Sequence, residues 1–559
     1  MKKEYDDALR RTTGFVDREL FLGQGSHTGR LQFLKPEHYK ETHTHFVGSP
    51  GYGKSFFLEH LLRECVKVRI MASLIDPHGD QAQQYHRFLL RVPWLVREKR
   101  IILFRPGATD IGLNPFAAAL PASDIASLAL ESLMKVWGAE TFNEVPRLER
   151  LLRLTFHILA ENHATLGDAY GFLQVRNRSL RQSMLAAVRD ERVRDGWADI
   201  EEMPLSLKHE RFESSWNRLQ RISLGSVAIQ RLFEETRNVV DVARMFERGE
   251  ILVGDLSLLP STEAQSLVGA VLANMIYHTV KHRPKHKRRL SVLALDEFPQ
   301  FITSDLARSL DQFRKFGVHL MLAHQRFAQL DENLKSAVNA CAKIKLVFGG
   351  LEYPDADLLA HELFANEVRG DRVKYRNFQT KFEPVLTQRE VESFSEVEAE
   401  SSGDSYGSSD LSSSSSGEST SSTDETLTHA LNSSSSAAYG SSSNHSSGSS
   451  SAHGRTVSYP WVTEHKKFRE ESMPAFWSLD EQWHALTARI MSLEKREALV
   501  KIFNQPVLDI TTPEVQKFPR RRRRKKTRKS SPKAGAPAEG TVLPPQTDDE
   551  LPEEDFWQK

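Results

Sequence analysis

Gly48-Ser49-Pro50-Gly51-Tyr52-Gly53-Lys54-Ser55, read together with the distant Ala294-Leu295-Asp296-Glu297, decides the fold of this 559-residue chain. The first string fits GxxxxGK[ST] and lies between a short apolar run, His45-Phe46-Val47, and a helix-like stretch that begins Phe56-Phe57-Leu58. Glycines at this spacing let backbone N–H groups wrap phosphates at a helix N-terminus, where unpaired donors and the helix dipole favour an anion. Lys54 then reaches the β- and γ-phosphates and the Ser55 hydroxyl ligates Mg²⁺. The expected ligands are therefore ATP and Mg²⁺, cradled by residues 48–55.

The second string ends an apolar run, Ser291-Val292-Leu293-Ala294-Leu295, in two carboxylates. Alone it reads equally well as a surface turn; paired with a full phosphate loop it supplies the other half of a nucleotide triphosphatase site. Asp296 holds Mg²⁺ directly or through water, and Glu297 orients and deprotonates the attacking water. A further run, His319-Leu320-Met321-Leu322-Ala323-His324-Gln325, brings Gln325 to the end of a neighbouring strand, as a γ-phosphate sensor or a plain polar cap. Arg314, in Asp311-Gln312-Phe313-Arg314-Lys315-Phe316-Gly317, is either a surface arginine or a cation offered in trans to a neighbouring subunit's γ-phosphate. Asp76, in Ile75-Asp76-Pro77-His78-Gly79-Asp80, serves the nucleotide or stabilises the turn. His43, His45 and His78 show no metal-ligand spacing.

Working outward, short apolar or β-branched runs recur at 44–47, 72–75, 100–104, 251–253, 290–295, 319–323 and 343–348, with helix-like segments between them. Strands alternating with helices imply an α/β fold with a mostly parallel sheet covered on both faces. In such sheets ligands bind beyond the carboxyl ends of the strands, where the loop, Asp76, Asp296, Glu297 and Gln325 all fall. Between Asn114-Pro115-Phe116 and Glu250 the apolar spacing turns helical, as in Leu148, Leu151, Leu152, Phe156 and Ile158, which predicts an inserted all-α domain. Arg147, Glu149, Arg150 and Arg153 read as its solvated, i,i+4-paired face.

A chain of this length predicts about three or four units. The expected division is an N-terminal segment 1–41; the sheet domain 42–116 and 248–395; the all-α insertion 117–247; a serine-dominated linker 396–455; a C-terminal helical segment 456–515 packing on the sheet domain; and a tail 516–559. The serine tract and the tail lack apolar surface to offset chain entropy, so both are expected to be disordered. The tail carries Arg520-Arg521-Arg522-Arg523-Arg524-Lys525-Lys526-Thr527-Arg528-Lys529, then the acidic Asp548-Asp549-Glu550 and Glu553-Glu554-Asp555. Such a basic run neutralises phosphates with no sequence preference, which points to DNA; the bland reading is a solubilising tail folded on its own acidic end.

The formal charge of +1 hides this asymmetry. Two cysteines, Cys65 and Cys341, exclude a disulfide framework and fit a reducing compartment. No apolar stretch follows Met1-Lys2-Lys3, so no signal peptide or amino-terminal anchor is expected, and the workplace is read as cytoplasmic. The longest internal apolar run, 266–280, is shorter than the ~20 residues of a spanning helix and reads as a buried helix.

GSPGYGKS, LIDPHGD, GLNPF, the long helical insertion, ILVGDLS, LALDEF and QFRKFGVHLMLAHQ follow one another here in an order and spacing that resemble the FtsK/HerA superfamily. Within it the chain is most similar to the TraD/TraG-type conjugative coupling ATPases of type IV secretion, over residues 42–364 and more weakly over 478–507. The resemblance implies a RecA-like motor that assembles as a homo-hexamer and pumps DNA through a central channel using ATP. It implies the same roles for Lys54, Ser55, Asp296, Glu297 and Gln325, and it places Arg314 where ring relatives carry a basic residue. The insertion would face a relaxase-bearing relaxosome, with type IV secretion components as further partners. Typical coupling proteins begin with membrane helices, and this sequence shows none.

Three functions follow as expectations: a DNA translocase of the coupling type; a HerA-like DNA-processing or defence ATPase partnered with a nuclease; and a nucleotide-switched scaffold that tethers DNA. An intact Glu297 speaks against the scaffold, since a switch needs no activated water.

Overall fold

Seven neighbouring strands of an eleven-stranded sheet point the same way. The computed structural model describes residues 19–108, 112–138, 146–236, 240–399, 411–423, 426–438 and 450–515. In chain order the strands are β1 (Leu20–Gly25), β2 (Leu31–Leu34), β3 (Thr44–Val47), β4 (Met71–Asp76), β5 (Ile101–Phe104), β6 (Ile251–Asp255), β7 (Ser291–Leu295), β8 (Val318–His324), β9 (Ile344–Phe348), β10 (Glu497–Ile502) and β11 (Leu508–Thr511). Their order across the sheet is β2-β1-β11-β10-β9-β3-β8-β7-β4-β6-β5. The block from β9 to β5 is parallel, and β10, β11, β1 and β2 continue it antiparallel.

β3, β6, β7 and β8 contain no exposed residue, which is why they read in sequence as unbroken runs. Side chains along β3, β4, β7 and β8 still alternate: Val47, Ile75, Leu293 and Leu295 enter one hydrophobic cluster, and Phe46, Leu74, Ala294 and Met321 the other. The second cluster is roofed by the Lys54–Lys67 helix through Phe57, Leu58, Leu61 and Leu62. The first is roofed by the Thr262–His282 helix, whose Leu267–Tyr277 stretch is buried as a core helix should be. Among the described residues no helix is long and apolar enough to cross a membrane.

From Ala122–Trp137 to Val242–Arg248 every element among the described residues is a helix, and their core is continuous with the first cluster. Trp197 packs between Phe172 and Phe212, with ring centroids at 4.7 and 6.0 Å. Nearby, the buried Arg181 pairs with Glu201 Oε2 at 3.0 Å and donates to the carbonyls of Phe172, Gln174 and Val175. On the outer face Arg153 pairs with Glu149 at 2.8 Å, the i,i+4 pattern read from the sequence, while Arg150 reaches Asp199 of another helix at 3.2 Å.

Two expected boundaries need correction. The C-terminal segment is not helical throughout: the Leu479–Met491 helix, capped by Ser478 and Glu481, is followed by β10 and β11, which extend the sheet from β9. Ala498, Val500 and Ile502 all face one cluster, a period of two that the surrounding helical spacing hid. The N-terminal segment likewise contributes β1 and β2, with β1 paired to β11.

Phe378–Gln388 pairs with Trp461–Glu471, and the backbone ladder continues through Val391–Ala399 with Ser450–Ser458 and Leu411–Thr423 with Thr426–Ala438. A lone two-stranded ribbon is marginal in water. The basic and acidic tail, 516–559, lies outside the described residues.

Candidate phosphate-binding site

The turn after β3 is shaped for backbone, not side chains. A Cβ on Gly48 would lie 2.5 Å from Phe348 Cβ, and Gly51 and Gly53 sit at φ +87° and +107°, where any other residue is strained. Ser49 fastens the loop to the end of β9, its N–H donating to the Gly349 carbonyl at 3.2 Å and its hydroxyl to the Gly350 carbonyl at 2.6 Å. Arg496, in the turn before β10, donates its N–H to the Tyr52 carbonyl at 3.2 Å. Lys54 and Ser55 open the following helix, whose first N–H groups have no partner within it. Pro50 lies on the exposed rim of the loop.

Lys54 is buried, with Nζ 3.2 Å from Glu297 Oε1 and 3.6 Å from Asp296 Oδ1 at the end of β7. Glu297 takes a left-handed backbone, φ +48°, which a non-glycine residue rarely adopts. Its carboxylate accepts from Gln325 Nε2 at 2.7 Å on one oxygen and from Gln329 Nε2 at 3.1 Å on the other. Gln329 Oε1 in turn accepts from the N–H groups of Gln325 and Arg326, both at 3.0 Å. Asp296 accepts from Gln81 Nε2 and from the Glu297 N–H.

The two carboxyls are tuned apart. Burial raises Asp296 to about 6, against the pull of Lys54 and with help from Asp76 and Glu297. Burial also pushes Glu297 up, but Lys54 and the amides of Gln325 and Gln329 outweigh it and hold that carboxyl below its ordinary range. One base is therefore kept ionised in a dry, donor-lined site.

Asp76 resolves toward the turn: it accepts from the N–H groups of His78 at 2.8 Å and Ala82 at 3.0 Å, starting the Asp80–Leu89 helix. Arg314 is not brought to the site. Its Nη1 donates to the Glu41 carbonyl at 2.8 Å, before β3, while Gln325 follows the other end of β8. The length of β8 sets the two apart by roughly 20 Å. His43 is bonded to the Leu310 carbonyl and accepts from the Leu320 N–H, His45 is bonded to His324 of the next strand, and among the described residues no three His, Cys, Asp or Glu side chains form a metal-binding group.

Gln81 and Gln329 escaped the sequence reading. The amide pair Gln325-x-x-x-Gln329 was a visible signal; Gln81, more than two hundred positions from Asp296, offered none. Gln81 also carries the observation that bears on a metal: its Oε1 is buried without a partner beside Asp296. A metal-bound water would supply the missing donor, so the residues fit a hydrated Mg²⁺ held with Ser55 and Asp296.

Against solved structures the architecture is matched by the bacterial conjugative coupling protein TrwB. The chain has the fold of TrwB. The unbound monoclinic form of TrwBdeltaN70 aligns with TM-score 0.50 and 12% identity over 92% of this chain and 93% of that one. TrwB in complex with ADP and Mg²⁺ gives 0.51 and 12% over 88% and 89%. TrwB with a non-hydrolysable ATP analogue gives 0.52 and 12% over 92% and 94%. Identity this low speaks for the fold alone. No protein-family model and no curated protein sequence matches the chain.

Proposed function

We propose that the chain is an ATP-hydrolysing DNA translocase of the conjugative coupling type, working as a homo-hexamer at the cytoplasmic side of a transfer apparatus. The observation that carries hydrolysis is the buried cluster in which Glu297, ionised and oriented by three donors, sits beside the lysine of a phosphate loop. Glu297 takes the proton of the attacking water, Gln325 and Gln329 fix the carboxylate's direction, and Lys54 meets the charge on the β- and γ-phosphates. Bound Mg²⁺, held by Ser55 and Asp296, would neutralise charge on the phosphate oxygens. Because Gln325 contacts Glu297 directly, its position couples the state of the site to β8.

Movement of DNA is supported by the TrwB fold and by the basic run 520–529. Arg314, remote from its own subunit's phosphate loop, is proposed to act on a neighbour's nucleotide in the ring. The insertion, proposed as residues 117–247, is the candidate surface for a relaxase-bound substrate. The test is ATP-driven displacement of streptavidin from biotinylated DNA. Displacement that needs ATP and fails with a non-hydrolysable analogue supports translocation; rapid hydrolysis with no displacement from single- or double-stranded DNA refutes it.

A further inference from the structure

At the opposite edge of the sheet, where β4, β7 and β8 begin, lies a cavity of about 480 Å³. A five-residue strand such as β7 puts it roughly 17 Å from the phosphate loop. Its walls carry four arginines, Arg69, Arg100, Arg283 and Arg289, against one carboxylate, Glu250. Glu250 lies 3.5 Å from Arg244 and 3.4 Å from Arg248, both outside the cavity, and its Oε2 makes no hydrogen bond. Arg100 pairs with Glu98 at 2.9 Å. Arg69, Arg283 and Arg289 form no ion pair among the described residues, and Arg283 Nη1 is buried without a hydrogen-bond partner.

These cations are held by rings. The Arg69 guanidinium lies 5.0 Å from the centroid of Trp94 and that of Arg283 4.7 Å from Phe246. Stacking fixes the guanidinium plane; Arg283 Nη2 donates to the Lys287 carbonyl, which leaves its Nη1 to meet an oxyanion. Arg69 and Arg289 stand exposed at the rim and add positive charge, while the buried Arg283 Nη1 is costly to leave without an acceptor; the planar fork matches phosphate. Trp94 and Phe246 are themselves wall residues of the cavity, which sets aromatic surface beside the arginines. The volume falls in the ~300–1,000 Å³ range of small-ligand sites, enough for one nucleotide and too small for a duplex.

We infer that this cavity is a second nucleotide-binding site, taking a nucleoside phosphate with its phosphate on Arg69, Arg283 and Arg289 and its base against Trp94 and Phe246. The nucleoside phosphate is either free or one unit of a single strand. The inference stands apart from the motor reading, since none of these residues touches the phosphate-loop site.

The experiment is isothermal titration of the full chain, its phosphate loop saturated with ADP and Mg²⁺, with AMP in one arm and a short oligothymidylate in the other. Binding of AMP identifies a free nucleotide as ligand; binding of the oligonucleotide alone identifies a strand. The Arg69→Gln/Arg289→Gln chain, altered at two exposed residues, should bind the successful probe about tenfold more weakly or worse. Its DNA-free ATP turnover should equal that of the parent. No binding of either probe by the parent, or equal binding by the variant, overturns the inference. A variant that changes sedimentation coefficient without changing probe affinity also overturns it, since the arginines would then be a contact between subunits.

Discussion

Lys54 Nζ stands 3.2 Å from Glu297 Oε1, so the ammonium proposed to meet a γ-phosphate is held by the carboxylate proposed to activate water. In that proposal an arriving triphosphate competes for Lys54 and frees Glu297 for the proton. Glu297→Gln removes the negative charge that restrains Lys54 and keeps the side chain's shape. ATP affinity should stay equal or rise, while turnover falls by about 10²–10⁴-fold. Equilibrium binding and single-turnover hydrolysis check this; a variant that loses ATP binding as well contradicts the assigned division of roles.

Gln325 and Gln329 grip opposite oxygens of Glu297. Gln329→Ala removes one donor and also the cap on the Gln325 and Arg326 N–H groups. The lost orientation should lower kcat by roughly tenfold or more with little change in nucleotide affinity. A change confined to KM would mean that Gln329 does not position Glu297.

Arg314 lies at the opposite end of β8 from Gln325. If it serves a neighbour, Arg314→Ala subunits retain a complete phosphate loop, and Lys54→Ala subunits retain the arginine. Each alone should be inactive; mixed rings should regain part of the turnover. Mixtures as inactive as the two separate variants would remove Arg314 from the site.

The phosphate loop, β7 and the parallel sheet were legible because glycine spacing and uninterrupted apolar runs are local signals. Gln329 was readable as the i+4 partner of Gln325, whereas Gln81 reaches Asp296 only through long-range packing that a single sequence does not encode locally. Strands β10 and β11 were hidden for a related reason. Leu486 and Ile490 set a helical period just before them, and residues 498–502 become a strand only because β9 offers an open edge.

His45 Nε2 lies 2.8 Å from His324 Nε2 with the rings stacked; His43 Nδ1 accepts from the Leu320 N–H of β8, and His319 of β8 is bonded to the Thr44 hydroxyl. Burial holds all four below the usual imidazole range, His319 and His324 at about 4 and His43 at about 3. Unfolding returns each to about 6.5, so below that pH the unfolded chain binds more protons and stability falls as pH falls. Asp296 and Glu131, raised by burial to about 6 and about 8, act in the opposite direction. A comparison of slopes isolates the histidine share. Relative to His319→Gln, the parent should lose about 1.4 kcal/mol more between pH 7.5 and pH 5.5 in denaturant titrations. Parallel curves would mean that His319 is protonated in the folded chain.

The most direct test of the central claim is steady-state ATP hydrolysis by the full chain, with and without DNA, beside Lys54→Ala. The account predicts turnover that rises on adding single- or double-stranded DNA, depends on Mg²⁺, and disappears in Lys54→Ala. Turnover indifferent to both kinds of DNA, or surviving in Lys54→Ala, would contradict it.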